Sequence, residues 1–167
     1  TFKIALDIKE GMYIPVTDNL FKLWNIDAMD MLNIAKENTP KLMPCRYETM
    51  ITILAQSMGV EEDVLGIMGI EAYEGMPNVL TNTTNTFGSS VILYDGILKA
   101  ICKGKDLIII PSSIHETLIL EIDDKSMSSD DLATMIKDVN SNEVAPNEVL
   151  SDHAYRYIAS EDRIVIL

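Results

Sequence analysis

The sequence predicts a mixed α+β fold: a mostly antiparallel sheet with helices packed on one face, built as two sub-halves. Three observations lead to it. FKIALDI (2–8) and ETLILEI (116–122) alternate apolar and polar positions, the period of a half-buried strand. DLIIIP (106–111) is almost wholly apolar, which suits a strand covered on both faces. Between such segments lie stretches of helical spacing opened by Asp27 or by Ser128 and Ser129.

Each element has its own local reason. Lys9-Glu10-Gly11 is turn chemistry, so 2–8 and MYIPV (12–16) read as a hairpin, with Pro15 near a strand end because it has no N–H. Thr17 or Asp18 caps a short helix whose apolar face is Leu20, Phe21, Leu23 and Trp24. Asp27 caps a second helix from Ala28 to about Glu37, which Thr39-Pro40 ends because the residue before proline leaves the α region. KLMPC (41–45) reads as extended, and YETMITILAQSM (47–58) as a helix stopped by Gly59. Glu61-Glu62-Asp63 suits the start of a short helix through Val64 to Met68.

The second sub-half begins at Pro77. NVLTN (78–82) and GSSVILY (88–94) read as strands around a Thr83-to-Thr86 turn, with Asp95 capping a helix from Gly96 to Cys102. Segments 106–111 and 116–122 should be the central strands, with 88–94 alongside. A helix follows to about Asn140, and AYRYI (154–158) and RIVIL (163–167) form a last hairpin. Residues 1–167 are expected to be a single domain, with possible sub-halves 1–70 and 77–167.

Composition sets limits on function. The chain has 167 residues, 47% of them apolar, too many for a disordered acidic tail. Folding at this size removes roughly 70% of the extended chain's surface, so a core needs neither disulfide nor metal. The formal net charge is −13, spread evenly, with 12 acids and 6 bases in residues 1–83. Nucleic-acid backbones and anionic membranes are repelled by such a surface, whereas a basic protein partner is attracted. The longest apolar run, Leu107 to Ile110, is far too short to span a bilayer. Cys45 and Cys102 are outside any Cys-x-x-Cys or metal spacing, and read as reduced, buried thiols of a cytoplasmic protein. The first residue is Thr1 rather than Met, which reads as a piece trimmed from a longer chain. Ten methionines are read as core filling, with Met29, Met50, Met58 and Met135 facing inward.

One constellation carries possible chemistry. Pro111-Ser112-Ser113-Ile114-His115-Glu116 joins the two most apolar strands. A serine near a histidine suggests nucleophile and base, and His115 with Glu116 suggests a metal, with Asp152-His153 as further ligands if the fold brings them in. Against both, no Gly-x-Ser-x-Gly elbow surrounds the serines and too few ligands are at hand. The preferred reading is a tight connection in which the serines bond the turn backbone. Asp123-Asp124 and Asp130-Asp131 lack the spacing of a calcium loop. No Walker loop, dinucleotide fingerprint or His-Glu-x-x-His is present, and neither cofactor nor metal is expected.

VLTN (79–82), FGSSVILYDGILK (87–99), LIIIPSSIHETLIL (107–120) and APNEVLSD (145–152) together resemble an uncharacterised bacterial domain-of-unknown-function family, as do MYIPVTDNLFKLWNID and AKENTP upstream. A fainter likeness is to a second uncharacterised bacterial family with a Pro-His-Gln-Asp step at the same place. The resemblance implies a fold unit and no established activity. It marks Ser112, Ser113, His115 and Glu116 as the signature residues. The leading expectation is a non-catalytic interaction or regulatory domain of the cytoplasm, with a protein partner. The alternatives are a hydrolase using Ser112 or Ser113 with His115 and Glu116, and an acidic inhibitor of a basic protein.

Overall fold

The computed structural model describes residues 1–73, 75–121, 128–142 and 144–167. The Asp7 carboxylate accepts the amides of Lys9 and Glu10, and Gly11 takes φ +66°, so the chain reverses and pairs β1 (Lys3–Asp7) antiparallel with β2 (Met12–Pro15). Helix α1 (Asp18–Trp24) follows without a side-chain cap. Helix α2 (Ala28–Leu42) opens on a full capping box, Asp27 and Asp30 each bonding the other's backbone amide. Pro40 does not end it: the helix runs to Leu42, and the Met43 amide closes it on Thr39 at 2.8 Å. So near the C-terminus the missing N–H costs a single bond.

Next come β3 (Cys45–Thr49), α3 (Met50–Met58), α4 (Glu62–Ile67) and β4 (Asn78–Asn82). A 3-10 helix (Gly88–Leu93) leads into α5 (Ile97–Cys102), β5 (Leu107–Pro111), β6 (Thr117–Glu121), α6 (Ser129–Asn142), β7 (Tyr155–Ile158) and β8 (Arg163–Ile166). Strands β3 to β8 form one six-stranded antiparallel sheet in the order β3-β4-β6-β5-β7-β8. All five residues of β5 are buried. Their alternation divides the core: Leu107 and Ile109 pack with Tyr94, Leu98 and Cys102 on one face, while Ile108 and Ile110 pack with Leu132 and Ile136 of α6 on the other.

The α+β class and the central pair β5–β6 agree with the sequence reading; several details do not. Helices lie on both faces of the sheet, not one, because both faces of β5 are apolar. Segment 88–94 is a 3-10 helix rather than a strand, so β4 and β7 flank the central pair instead. Residues 45–49 form an unforeseen strand that pairs with β4 in full register, so the sheet joins the two expected sub-halves. Gly96, not Asp95, caps α5. Asp95 is exposed, 3.9 Å from Lys36. Met29, Met58 and Met135 are exposed at 62%, 46% and 42%, which overturns their placement in the core. Cys102 is a buried thiol, but Cys45 is only partly buried. The Asp123-Asp124 pair is outside the described residues. No described helix is long and apolar enough to cross a membrane.

Two expectations follow. Ile109, 1% exposed, has no room to relax, so Ile109→Ala should cost about 2–5 kcal/mol in urea unfolding, against at most about 0.5 kcal/mol for an ordinary exposed site. The Asp106 carboxylate accepts the Ala159 amide at 2.9 Å and the Arg156 guanidinium at 2.6 Å, and these bonds hold its pKa below the usual carboxylate range. A lowered pKa in the folded state gives stability that is present above the ordinary carboxylate pKa and lost as pH falls through the folded value. Asp106→Asn should therefore flatten the acid limb of a Tm-against-pH curve.

Candidate functional site

Pro111 is the last ladder residue of β5, paired with Thr117, so residues 112–116 must turn the chain within five positions. The serines build that turn. Ser113 donates its amide to the Glu116 carbonyl at 3.3 Å, and its Oγ accepts the His115 amide at 3.0 Å. Ser112 Oγ reaches Glu116 Oε1 at 3.5 Å. Each hydroxyl meets the bend itself, and neither serine is bonded to the imidazole.

Three other segments grip the bend. Thr81 of β4 donates its hydroxyl to the His115 carbonyl at 2.8 Å. Ser89, at the start of the 3-10 helix, donates its amide and its hydroxyl to the Ile114 carbonyl at 3.3 and 2.7 Å. The Ile114 amide donates to the Glu148 carbonyl at 2.9 Å. Gly88 passes so close that a Cβ there would be 2.0 Å from Thr81 Oγ1 and 2.3 Å from the His115 carbonyl oxygen. Only glycine fits that gap.

The His115 ring is held on three sides. Its Nδ1 accepts the Phe87 amide at 3.3 Å, its Nε2 is 3.5 Å from a Glu148 carboxylate oxygen, and the Phe87 ring stacks on it with centroids 5.8 Å apart and planes at 21°. With Nδ1 an acceptor, the neutral ring carries its proton on Nε2, facing Glu148. Phe87 takes φ +55°, in the left-handed region that a bulky side chain seldom enters. That backbone sends its ring between His115 and the N-terminal hairpin, where Tyr13 meets it edge-on at 5.4 Å and Lys3 Nζ lies 3.4 Å from its centroid.

Beyond Phe87 is the larger feature, a cavity of about 750 Å3. Its walls are the hairpin, Trp24, Ile26 and the inner side of α2, closed by Met43, Phe87, Leu93 and Tyr94. Tyr94 Oη donates to the Met43 carbonyl at 2.8 Å and ties the two sides together. No residue from 1 to 42 is buried. The apolar side chains of this layer line a space instead of filling it. The lining includes Lys3 and Lys36 but no Asp or Glu, although acids outnumber bases 26 to 13 in the chain. Tyr13 is one of the lining residues, and its Oη is buried without a partner among the described residues.

The structure thus gathers Ser112, Ser113, His115 and Glu116 into one braced bend, joined by Glu148. His153 is exposed, its amide donating to Ser151 Oγ at 3.1 Å, and no contact joins it to His115 among the described residues. No cluster of three or more His, Cys, Asp or Glu that could hold a metal is found among the described residues. The sequence reading missed Tyr13, Phe87 and the cavity. The available signals were a lysine on the N-terminal strand and the sole tryptophan on the same short layer.

A family model, described as a family of unknown function (DUF5688), matches residues 1–159. That agrees with the likeness to an uncharacterised family read from the sequence. No curated protein and no solved structure matches the chain. From the geometry of the bend, Gly88→Ala should lower stability by roughly 1–3 kcal/mol through overpacking. Chemical denaturation should show it, and the same change at Gly66, where a Cβ meets nothing within 4 Å, should not.

Proposed function

The chain belongs to this family of unknown function, and we propose that it is a non-catalytic binding domain whose largely apolar ligand occupies the cavity under the N-terminal hairpin. The observation that carries the reading is the half-covered layer of residues 1–42 around about 750 Å3 of space. Ligand sites are commonly about 300–1,000 Å3, mostly apolar with a few placed polar groups. Each apolar Å2 withdrawn from water by an occupant contributes about 25 cal/mol. The layer therefore gains from an occupant what it lacks in buried side chains of its own.

The bend supports the non-catalytic part. Its serine hydroxyls serve the turn, and His115 Nδ1 is committed to a backbone amide. A regulatory role in a bacterial cytoplasm is part of the same proposal. Its supports are the two free thiols, the net charge of −13 and the sequence likeness to a bacterial family.

Trp24 is the sole tryptophan and lies in the cavity wall, so its emission reports on occupancy. Titration with the neutral probe N-phenyl-1-naphthylamine should give a saturable change in Trp24 emission and a rise in Tm. A ligand at 100 times its Kd stabilises by about 2.7 kcal/mol. Ala35→Phe, which places a ring in the same space, should abolish the signal without unfolding the protein. Absence of saturable binding, or binding undiminished in folded Ala35→Phe, would refute the proposal.

A further inference from the structure

We infer that the cavity's ligand is an amphiphile with one anionic head, a long-chain monocarboxylate, held at the head by Tyr13 and Lys3. This rests on the cavity being a binding site and adds the chemistry of what it takes. In the register of the hairpin Lys3 faces Pro15, and Ala5 faces Tyr13. Lys3, Ala5 and Tyr13 therefore share one face, with the lysine diagonal to the phenol. Both side chains converge on Phe87, the ammonium above its ring at 3.4 Å and the phenol at its edge.

The Tyr13 hydroxyl is buried with nothing to bond among the described residues, and such a group costs about 1–3 kcal/mol until it finds a partner. Lys3 pairs with no carboxylate among the described residues; its contact is the π face of Phe87. An ammonium and a phenol on one face of the hairpin are two donors, and a carboxylate offers two acceptor oxygens. The rest of the wall is apolar and suits an alkyl chain.

Charge agrees. The lining has lysines and no acid, so this wall reverses the sign of the molecule that surrounds it. Lys36 already faces Asp95, which leaves Lys3 as the cation for the head. A neutral alkane would leave the Tyr13 hydroxyl unbonded, and a cationic amphiphile would set like charge beside Lys3.

The test compares dodecanoate with dodecanol, below their aggregation concentrations, by Trp24 emission and calorimetry. The proteins are the unaltered chain, Tyr13→Phe and Lys3→Met. The unaltered protein should bind dodecanoate at least tenfold more tightly than dodecanol. Each substitution should weaken dodecanoate about tenfold, as expected for losing a hydrogen bond to a charged group, and leave dodecanol unchanged. Tyr13→Phe removes a hydroxyl with no bond to lose, so its Tm without ligand should be equal or higher, which separates a binding loss from misfolding. Equal affinity for acid and alcohol, or dodecanoate binding indifferent to both substitutions, would overturn the head assignment while the cavity reading stands. Failure of the dodecyl ligands and of N-phenyl-1-naphthylamine alike would overturn both.

Discussion

The contact on which the rest depends is the passage of the Gly88 backbone against the His115 carbonyl and the Thr81 hydroxyl. A side chain at 88 would occupy the space those oxygens hold. Because that residue is glycine, the start of the 3-10 helix lies flush on the bend, and Ser89 bonds the Ile114 carbonyl with both its amide and its hydroxyl. The residue before the close approach takes φ +55°, and that residue is Phe87. Its ring is thereby fixed between the bend and the hairpin, with His115 stacked behind it and Tyr13 and Lys3 in front. The strain of a left-handed aromatic residue is offset by the amide bond to His115 Nδ1 and by the ring contacts.

This chain of contacts links the most conspicuous sequence motif to the most conspicuous space in the fold. Ser112, Ser113, His115 and Glu116 are polar groups at the end of a fully buried strand, where unpaired polar atoms are expensive. They satisfy one another and the neighbouring backbone. What the imidazole presents to the cavity is indirect: it buttresses Phe87, and Phe87 is the wall. A network of this kind rigidifies one side of the cavity, while the opposite side is a layer with no buried residue of its own.

The legible parts of the fold were those whose reason is local. The unbroken apolar run of β5, the alternation of β6, the Asp27 cap and the Gly11 turn all follow from nearest neighbours in sequence. GSSVILY misled because its β-branched, apolar residues have strand propensity, whereas its conformation is set by the close approach at Gly88 and by Tyr94 reaching Met43. Strand β3 was hidden behind Pro44, and its pairing with β4, some 30 positions on, has no local signature. Met29, Met58 and Met135 have helical spacing, but that spacing does not tell the inner side of a helix from the outer: Met135 is exposed on the same helix as the buried Leu132 and Ile136, and Met29 belongs to a layer with no buried residue. Of the site, the four signature residues could be named and their role as a turn argued. The cavity could not, since its walls come from residues 1–5, 13–16, 24–43 and 87–94, which only the fold brings together.

The most direct test of the account is a double-mutant cycle between Phe87 and His115, with Phe87→Leu, His115→Gln and the pair followed by chemical denaturation. If His115 acts by packing behind the cavity wall, the two substitutions are coupled, by about 0.5–1.5 kcal/mol for an aromatic pair of this kind. Strictly additive losses, or a His115→Gln protein as stable as the parent, would contradict it.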